Sequence, residues 1–248
     1  MLPEVVNQSL HRFYMFTSRI AAILLSVSLV GCATVEKQAF NKEVATNIKT
    51  IAVTERTGEE TYDVNIIAHP GVSFGLVGGL IAAADMQVKS SKLTAALDPA
   101  QTQLQHLFAK KLAQSLGAAG YQTEIVPVAK TIEDKEVHNT VRAKLSTDAL
   151  LTVSVHGMYV AAGPTTDYYP YVVVRVLSTD VKTGAKLYQD TITYGYNFPG
   201  TKTVHLPGKQ EGRFQNMDEL VGDPKRTRDE LYIGLEAIAA QIAADLKQ

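Results

Sequence analysis

The sequence predicts an α+β domain, with a mixed sheet of about five strands and helices packed mainly on one face of it. Extended segments of the kind that form strands are separated by segments whose apolar residues recur at helical spacing. Three extended segments, 148–160, 171–179 and 185–197, follow one another, and the turn Asp180–Gly184 joins the last two. We therefore expect these three segments to form a meander.

The first half of the domain supplies short strands and one clear helix. Asp98 can cap a helix whose first turn contains Pro99, and apolar residues then recur at helical spacing as far as Leu116. We expect a helix over 99–116. The extended segments expected in this half are 48–53, 62–68 and 121–128.

Two further helices are expected in the second half of the chain. Residues 131–145 are charged and carry apolar residues four positions apart, which favours a short helix. Thr227–Glu230 has the pattern of a capping box, and the apolar face that follows it runs to Leu246. Residues 198–212 are punctuated by glycine and proline and are expected to form a loop.

The most specific pattern in the sequence is an apolar run near its start. Arg19 precedes residues 20–30, which are apolar except for two serines. A membrane-spanning helix needs about 20 apolar residues, so a run this short is typical of a secretory signal. Residues 1–14 place Glu4 ahead of the charged region, which suggests Met15 as the true start of the signal.

The run ends in Leu29-Val30-Gly31-Cys32, which resembles the lipobox of bacterial lipoprotein precursors. The resemblance implies that residues 1–31 are a signal peptide, cut before Cys32, and that Cys32 is acylated with palmitate-type chains. The membrane is then a partner through the lipid anchor. Ala33 stands where an aspartate retains enteric lipoproteins in the inner membrane, which implies the periplasmic face of the outer membrane. Polar residues 32–47 are expected to be a tether, and 48–248 the domain.

Composition argues against several classes of function. The formal net charge is −1 and the basic residues are dispersed, so no nucleic-acid partner is expected. Cys32 is the only cysteine, and after acylation it leaves no thiol for a disulfide, a metal site or a nucleophile. The histidines are scattered without the spacing of metal ligands, so neither a metal nor a cofactor is expected.

A segment rich in small residues, 71–97, is the predicted contact element. Gly71, Gly75, Gly79 and Ala83 recur at intervals of four, which would place them on one stripe of a helix. Such a stripe allows another backbone to approach closely. We therefore expect a non-enzymatic interaction or assembly module of the cell envelope, whose partner is another envelope protein or a second copy of the chain.

The same segment supports an alternative, because Gly71–Gly75 matches the G-x-S-x-G motif of serine hydrolases. In that interpretation, a lipid-anchored serine esterase would use Ser73 as the nucleophile and His205 as the base, with Asp167 or Asp190 as the third residue. Pro70 and the short stretch of mature chain before Ser73 weigh against it.

Tyrosines around the meander suggest a second alternative, a periplasmic binder of glycans or peptides. Aromatic rings on a strand surface can stack against sugars, although they are more often ordinary residues of a strand face. The tyrosines concerned are Tyr159, Tyr168, Tyr169, Tyr171, Tyr188, Tyr194 and Tyr196.

The order of the segments from residue 99 onward also resembles a known periplasmic domain. The strand Asp148–Gly157 and the hairpin Val174–Leu187 are similar to the "lgAdylLtG" and "vrlvdvkTGevl" motifs shared by the curli-secretion lipoprotein, the TolB amino-terminal domain and penicillin-binding-protein activators. The resemblance implies a fold rather than an active site. Segment 71–97 departs from that family, and the chain lacks the alternating segments that build a membrane pore.

Overall fold

The computed structural model describes residues 37–247, except for the side chains of Asp134, Lys135 and His138. The predicted signal peptide with its start at Met15, the lipobox and the acylation site Cys32 lie outside the described residues.

A single mixed sheet of seven strands forms the centre of the domain, in the order β3-β1-β4-β5-β6-β7, with β2 also paired to β4. Strand β1 is parallel to β3 and β4, the β4-β5-β6 meander is antiparallel, and β7 is parallel to β6. The strands are β1 (Thr50–Thr57), β2 (Asp63–Ile66), β3 (Gln122–Ala129), β4 (Ala149–Ala161), β5 (Tyr168–Asp180), β6 (Lys186–Gly195) and β7 (Val204–Pro207).

The α+β class, the mixed sheet and the three-strand meander are therefore confirmed. The turn between β5 and β6 is also as expected: the Asp180 carboxylate accepts from the backbone N–H of Thr183, and Gly184 has φ +75°. The sheet has more than the five or so strands expected. Four-residue β7 lies inside the segment predicted as a loop, where its short extent left no alternating pattern to detect.

Six helices are present in the part of the chain that the structure describes. They are α1 (Gly75–Leu97), α2 (Pro99–Thr102), α3 (Leu104–Ala118), α4 (Asp134–Thr140), α5 (Met217–Gly222) and α6 (Pro224–Asp245). Short 3₁₀ turns occupy Val44–Asn47, Pro70–Phe74, Arg142–Lys144 and Gln210–Gly212.

The helix predicted over 99–116 is broken into α2 and α3 at Gln103, which has φ +44°. A distant residue makes this break possible. The Glu60 carboxylate accepts from the backbone N–H groups of Leu104 and Gln105, each at 2.8 Å, and so caps α3. Because the capping carboxylate comes from 44 positions earlier in the chain, local spacing could not indicate it.

The boundaries of the other two predicted helices also differ. Helix α6 begins at Pro224, before the predicted capping box, because the Asp223 carboxylate accepts from the backbone N–H of Arg226. Thr227 is buried and donates its hydroxyl to the carbonyl of Leu220 instead of capping. In the predicted segment 131–145, the α-helix ends at Thr140 and a 3₁₀ turn follows.

The two longest amphipathic helices, α3 and α6, pack against one face of the sheet and against each other. Gly157 of β4 permits this close approach, since a Cβ there would lie 2.5 Å from Leu104 Cδ1. Gly234 of α6 has the same role on the helix side, since a Cβ there would lie 2.6 Å from the ring of Tyr194. Because glycine has no side chain, these two residues set the short distance between the helix layer and the sheet.

Buried tyrosine hydroxyls attach α6 and the chain after it to the rest of the domain. Tyr159 donates to the carbonyl of Thr227 at 2.8 Å, Tyr188 donates to the carboxylate of Asp245 at 2.8 Å, and Tyr121 donates to the carbonyl of Leu246. Burial raises the pKa of Tyr159 and of Tyr188 well above the ordinary value of 10.0. These phenols therefore stay protonated in the folded domain.

Part of the predicted tether belongs to the domain. Gln38 forms a two-way backbone bridge with Gln189 of β6, and Ala45 in the 3₁₀ turn is fully buried. Lys37 lies 2.9 Å from the carboxylate of Asp190, which is only 1% exposed. Any free tether among the residues after position 32 is thus shorter than the predicted 32–47.

We expect the free energy of unfolding to fall as the pH rises above about 10, because the unfolded chain releases phenol protons that the folded domain retains. Tyr159→Phe should lower stability by about 1 kcal/mol at pH 8, since the Thr227 carbonyl loses its donor, and should flatten the alkaline decline. Urea unfolding followed by circular dichroism at pH 8 and pH 10.5 measures both effects. An alkaline decline as steep in the variant as in the natural chain would contradict the assignment.

Candidate functional site

Seven large apolar side chains between residues 72 and 88 are exposed to solvent, with exposed fractions from 56% to 83%. We call this set the apolar surface: Val72, Phe74, Leu76, Val77, Leu80, Ile81 and Val88. All lie on the Pro70–Phe74 turn or on α1. Continuous exposed apolar patches of several hundred Å² mark interaction sites on soluble domains, so this is the candidate functional site.

The apolar surface is exposed because α1 extends past the end of the sheet. The backbone N–H of Tyr62 donates to Thr94 Oγ1, and that of Val64 donates to Ser90 Oγ, each at 2.9 Å. These two bonds fix α1 antiparallel to β2. Gly75 lies fifteen residues from Ser90, about 22 Å along a helix at 1.5 Å per residue, whereas β2 continues for only two residues beyond Val64.

The chain between β2 and α1 folds back along the projecting helix and is held there by His69. Its Nδ1 accepts from the backbone N–H of Gly71 at 3.1 Å, which leaves the proton on Nε2. Nε2 lies 3.3 Å from the carboxylate of Asp85 on α1. The Lys89 ammonium, followed by His69, holds the pKa of Asp85 below its ordinary value. One polar cluster thus fastens the base of an otherwise apolar projection.

The prediction that Gly71, Gly75, Gly79 and Ala83 form one stripe of a helix is wrong. Gly71 belongs to the 3₁₀ turn, and Gly75 has φ +66° where α1 begins, so the four predicted residues do not share one helix stripe. An added Cβ at Gly75 or Gly79 would meet no atom within 4 Å, and Ala83 is exposed. The predicted close contacts are therefore not made at these positions within the chain.

The small residues that do pack are Gly71, Gly78 and Ala82. A Cβ at Gly78 would lie 2.0 Å from the carbonyl oxygen of Gly71, and Ala82 is 1% exposed. Spacing by four from Gly71 misses Gly78 and Ala82 because the helix begins only at Gly75. The close approach is between the turn and α1 of the same chain, and it leaves the larger apolar residues facing outward.

The projecting half of α1 carries no charged residue. Between His69 and Asp85 every side chain is apolar or small, and the first charges follow at Asp85 and Lys89. Within the helical segment Pro70–Leu97, the most apolar window of 18 residues has a mean hydropathy of 1.4 and is 11% buried, so by length and composition alone the segment could cross a membrane. The lack of polar residues on any side is the sequence signal from which the exposed surface could have been inferred.

Ser73 and His205, the pair of the esterase alternative, lie on different elements. Ser73 is exposed on the 3₁₀ turn, and the strand-to-helix elbow of that mechanism is replaced by an eight-residue connection from Ile66 to Gly75. His205 lies on β7, where its Nδ1 is 3.3 Å from the hydroxyl of Thr193. Among the described residues, no three histidine, cysteine, aspartate or glutamate side chains could together hold a metal ion.

The tyrosines of the glycan-binder alternative divide into two groups. Tyr159, Tyr168, Tyr188 and Tyr194 are buried in the core. The half-exposed ones form a chain of edge-to-face contacts with Phe198, in which ring centroids are 5.0 to 6.1 Å apart: Tyr169, Tyr171 and Tyr196. These rings therefore pack largely against one another, which leaves little ring surface for a ligand.

A groove of about 600 Å³ opens where the sheet branches between β1 and β2. Its lining includes the cations Arg56 and Lys130 and the anions Glu60 and Glu133. Arg56 donates to the carbonyl of Ile132 at 2.6 Å, and Glu60 caps α3. Mixed charge and internal bonding make this groove a weaker candidate than the apolar surface.

Two neighbouring glycines of α1 test the packing of the projection. Gly78→Ala should destabilise it by about 1 to 3 kcal/mol, because the new methyl group meets backbone, whereas Gly79→Ala points into open space and should stabilise the helix by up to about 1 kcal/mol. Hydrogen exchange of the amides of residues 76–84 measures both. Equal exchange rates in the two variants would contradict the described packing.

No protein-family model matches the sequence, and no curated protein matches it significantly. Among solved structures, the chain is similar to a PelC dodecamer from Paraburkholderia phytofirmans, with 14% identity, 86% of this chain and 96% of that chain covered, and a TM-score of 0.31. It is also similar to lipoprotein GNA1162 from Neisseria meningitidis, with 14% identity, 61% and 88% covered, and a TM-score of 0.24. At these scores no property of either protein transfers to this chain.

Proposed function

We propose that this protein is a non-enzymatic interaction or assembly module of the bacterial cell envelope, anchored by an acylated Cys32 to the periplasmic face of the outer membrane. Its contact element is the projection formed by Pro70–Phe74 and the first half of α1. The anchor rests on the sequence pattern that ends at Cys32, and the contact element rests on the apolar surface.

The observation that carries the proposal is the exposure of the apolar surface. A side chain such as Leu76, 83% exposed, forgoes most of the roughly 1.5 to 3 kcal/mol that burial of a large apolar side chain contributes. Seven such residues lie together, while the core beneath the sheet is closed. A partner that covers the apolar surface would bury these side chains and gain the free energy of their burial, which an isolated domain does not gain.

Replacing one residue of the apolar surface by a charge should abolish partner capture. For Val77→Glu, cross-linked products from intact cells should fall at least tenfold, because a buried unpaired carboxylate opposes binding. Val44→Glu is the matched control, since Val44 is a half-exposed valine elsewhere on the domain. Cross-linking, affinity purification and mass spectrometry measure the loss. Equal capture by both variants, or labelling of the natural chain by a fluorophosphonate probe at Ser73, would count against an interaction module.

Cys32→Ser should release the protein from the membrane. With the acyl chains absent, the domain should move to the soluble periplasmic fraction and lose incorporation of labelled palmitate. Ala33→Ser, one position later, should leave both unchanged. Retention of Cys32→Ser in membranes after carbonate washing would show that another segment anchors the chain.

A further inference from the structure

We propose that the occupant of the apolar surface is a second copy of this chain, which docks through a parallel, two-fold-symmetric pairing of the α1 helices. This inference rests on the proposed function, and it names the partner that the function leaves open. Spacing, area and the position of the anchor each support it.

The exposed residues of α1 have the spacing of a helix-pairing seam. Val77, Ile81, Ala84 and Val88 are separated by four, three and four positions, and all four are exposed. This 3-4 alternation places them along one line on the helix, which a second helix can follow. Ile81 and Val88 stand seven residues apart and therefore occupy equivalent positions of this repeat. Leu76 and Leu80 widen the line on one side.

The area is sufficient for a stable dimer. The seven side chains of the apolar surface offer roughly 800 Å² together, which is about what one partner contributes to a standard protein interface. In an isologous pair the same surface serves both copies, so no other patch is needed. The alanine at position 84 permits close approach of the two helices at the middle of the seam.

The position of the anchor selects the parallel orientation. Gln38 pairs with Gln189, and Gln189 lies in the same row of the sheet as Thr152 of β4. The projection starts beyond Ala161, which lies nine residues, or about 30 Å, further along β4. Five peptide steps from Cys32 to Lys37 reach at most about 18 Å. With the Gln38 end of the sheet facing the membrane, two copies in one membrane both direct α1 away from it, side by side.

The same geometry argues against the bilayer as the occupant. The projection lies at the end of the sheet opposite to Gln38, about 30 Å away along the strands, which is further than the five residues before Lys37 can span. In addition, no side chain caps the N-terminus of α1, and uncapped N–H groups are strongly unfavourable in hydrocarbon, where water cannot satisfy them. A helix of a second copy covers the apolar side chains and leaves that end in water.

Cysteine cross-linking of the full acylated chain in its own membrane tests the proposal. After mild oxidation, Ile81→Cys and Val77→Cys should each form disulfide-linked dimers, because an in-register parallel seam brings each position opposite its own copy. Ala83→Cys is the matched control: it is exposed on the same helix but lies 200° around the axis from Ile81, so it should cross-link at least fivefold less. The natural chain, with Cys32 as its only cysteine, should give no dimer band.

The outcomes separate this inference from the proposed function. Cross-linking through Ile81→Cys but not Val77→Cys would overturn the parallel register in favour of an antiparallel one. No dimer from either variant, together with loss of other captured envelope proteins in Val77→Glu, would overturn the second copy and leave the interaction module standing. No dimer and no effect of Val77→Glu would overturn both. If lipid vesicles alone protect the cysteines of Val77→Cys and Ile81→Cys from a water-soluble maleimide, the occupant of the apolar surface is the bilayer and not a second copy.

Discussion

The close packing of α3 and α6 on one face of the sheet is the constraint on which the rest of the structure depends. Gly157 on β4 and Gly234 on α6 remove the side chains that would hold the layers apart, and Leu104 and Leu231 occupy the space. The helix face of β4, β5 and β6 is filled by these two helices. The projecting half of α1 therefore lies outside this layer, and only the second half of α1 packs on the short strand β2.

The lengths of neighbouring elements then decide the exposure of the candidate site. Strand β2 has four residues and α1 has twenty-three. The second half of α1 is fixed to β2 by Ser90 and Thr94 and buries Leu93 and Leu97 in the core. The first half packs on the returning turn through Gly78 and Ala82, and its large side chains stay in solvent. An apolar projection on a polar domain is maintained because its base is firmly held.

Small residues have a different role here from the one their spacing indicates. Intervals of four predicted a glycine stripe available to a partner, but the chain uses Gly71, Gly78 and Ala82 for its own turn. The consequence is that partner contacts are left to valine, leucine, isoleucine and phenylalanine. Such residues contribute more free energy per contact than glycine does, since they remove more apolar area from water.

The sequence by itself determined the α+β class, the meander with its Asp180–Gly184 turn, and the existence of the main helices, because periodicity and turn chemistry are local properties. Segment 71–97 was also singled out from its composition. Only the tertiary structure decided the break at Gln103, which depends on Glu60 from a distant loop, and the start of α6 at Pro224. It likewise decided which side of α1 is exposed, because exposure depends on where β2 ends and where the other helices lie, and no window of neighbouring residues contains that information.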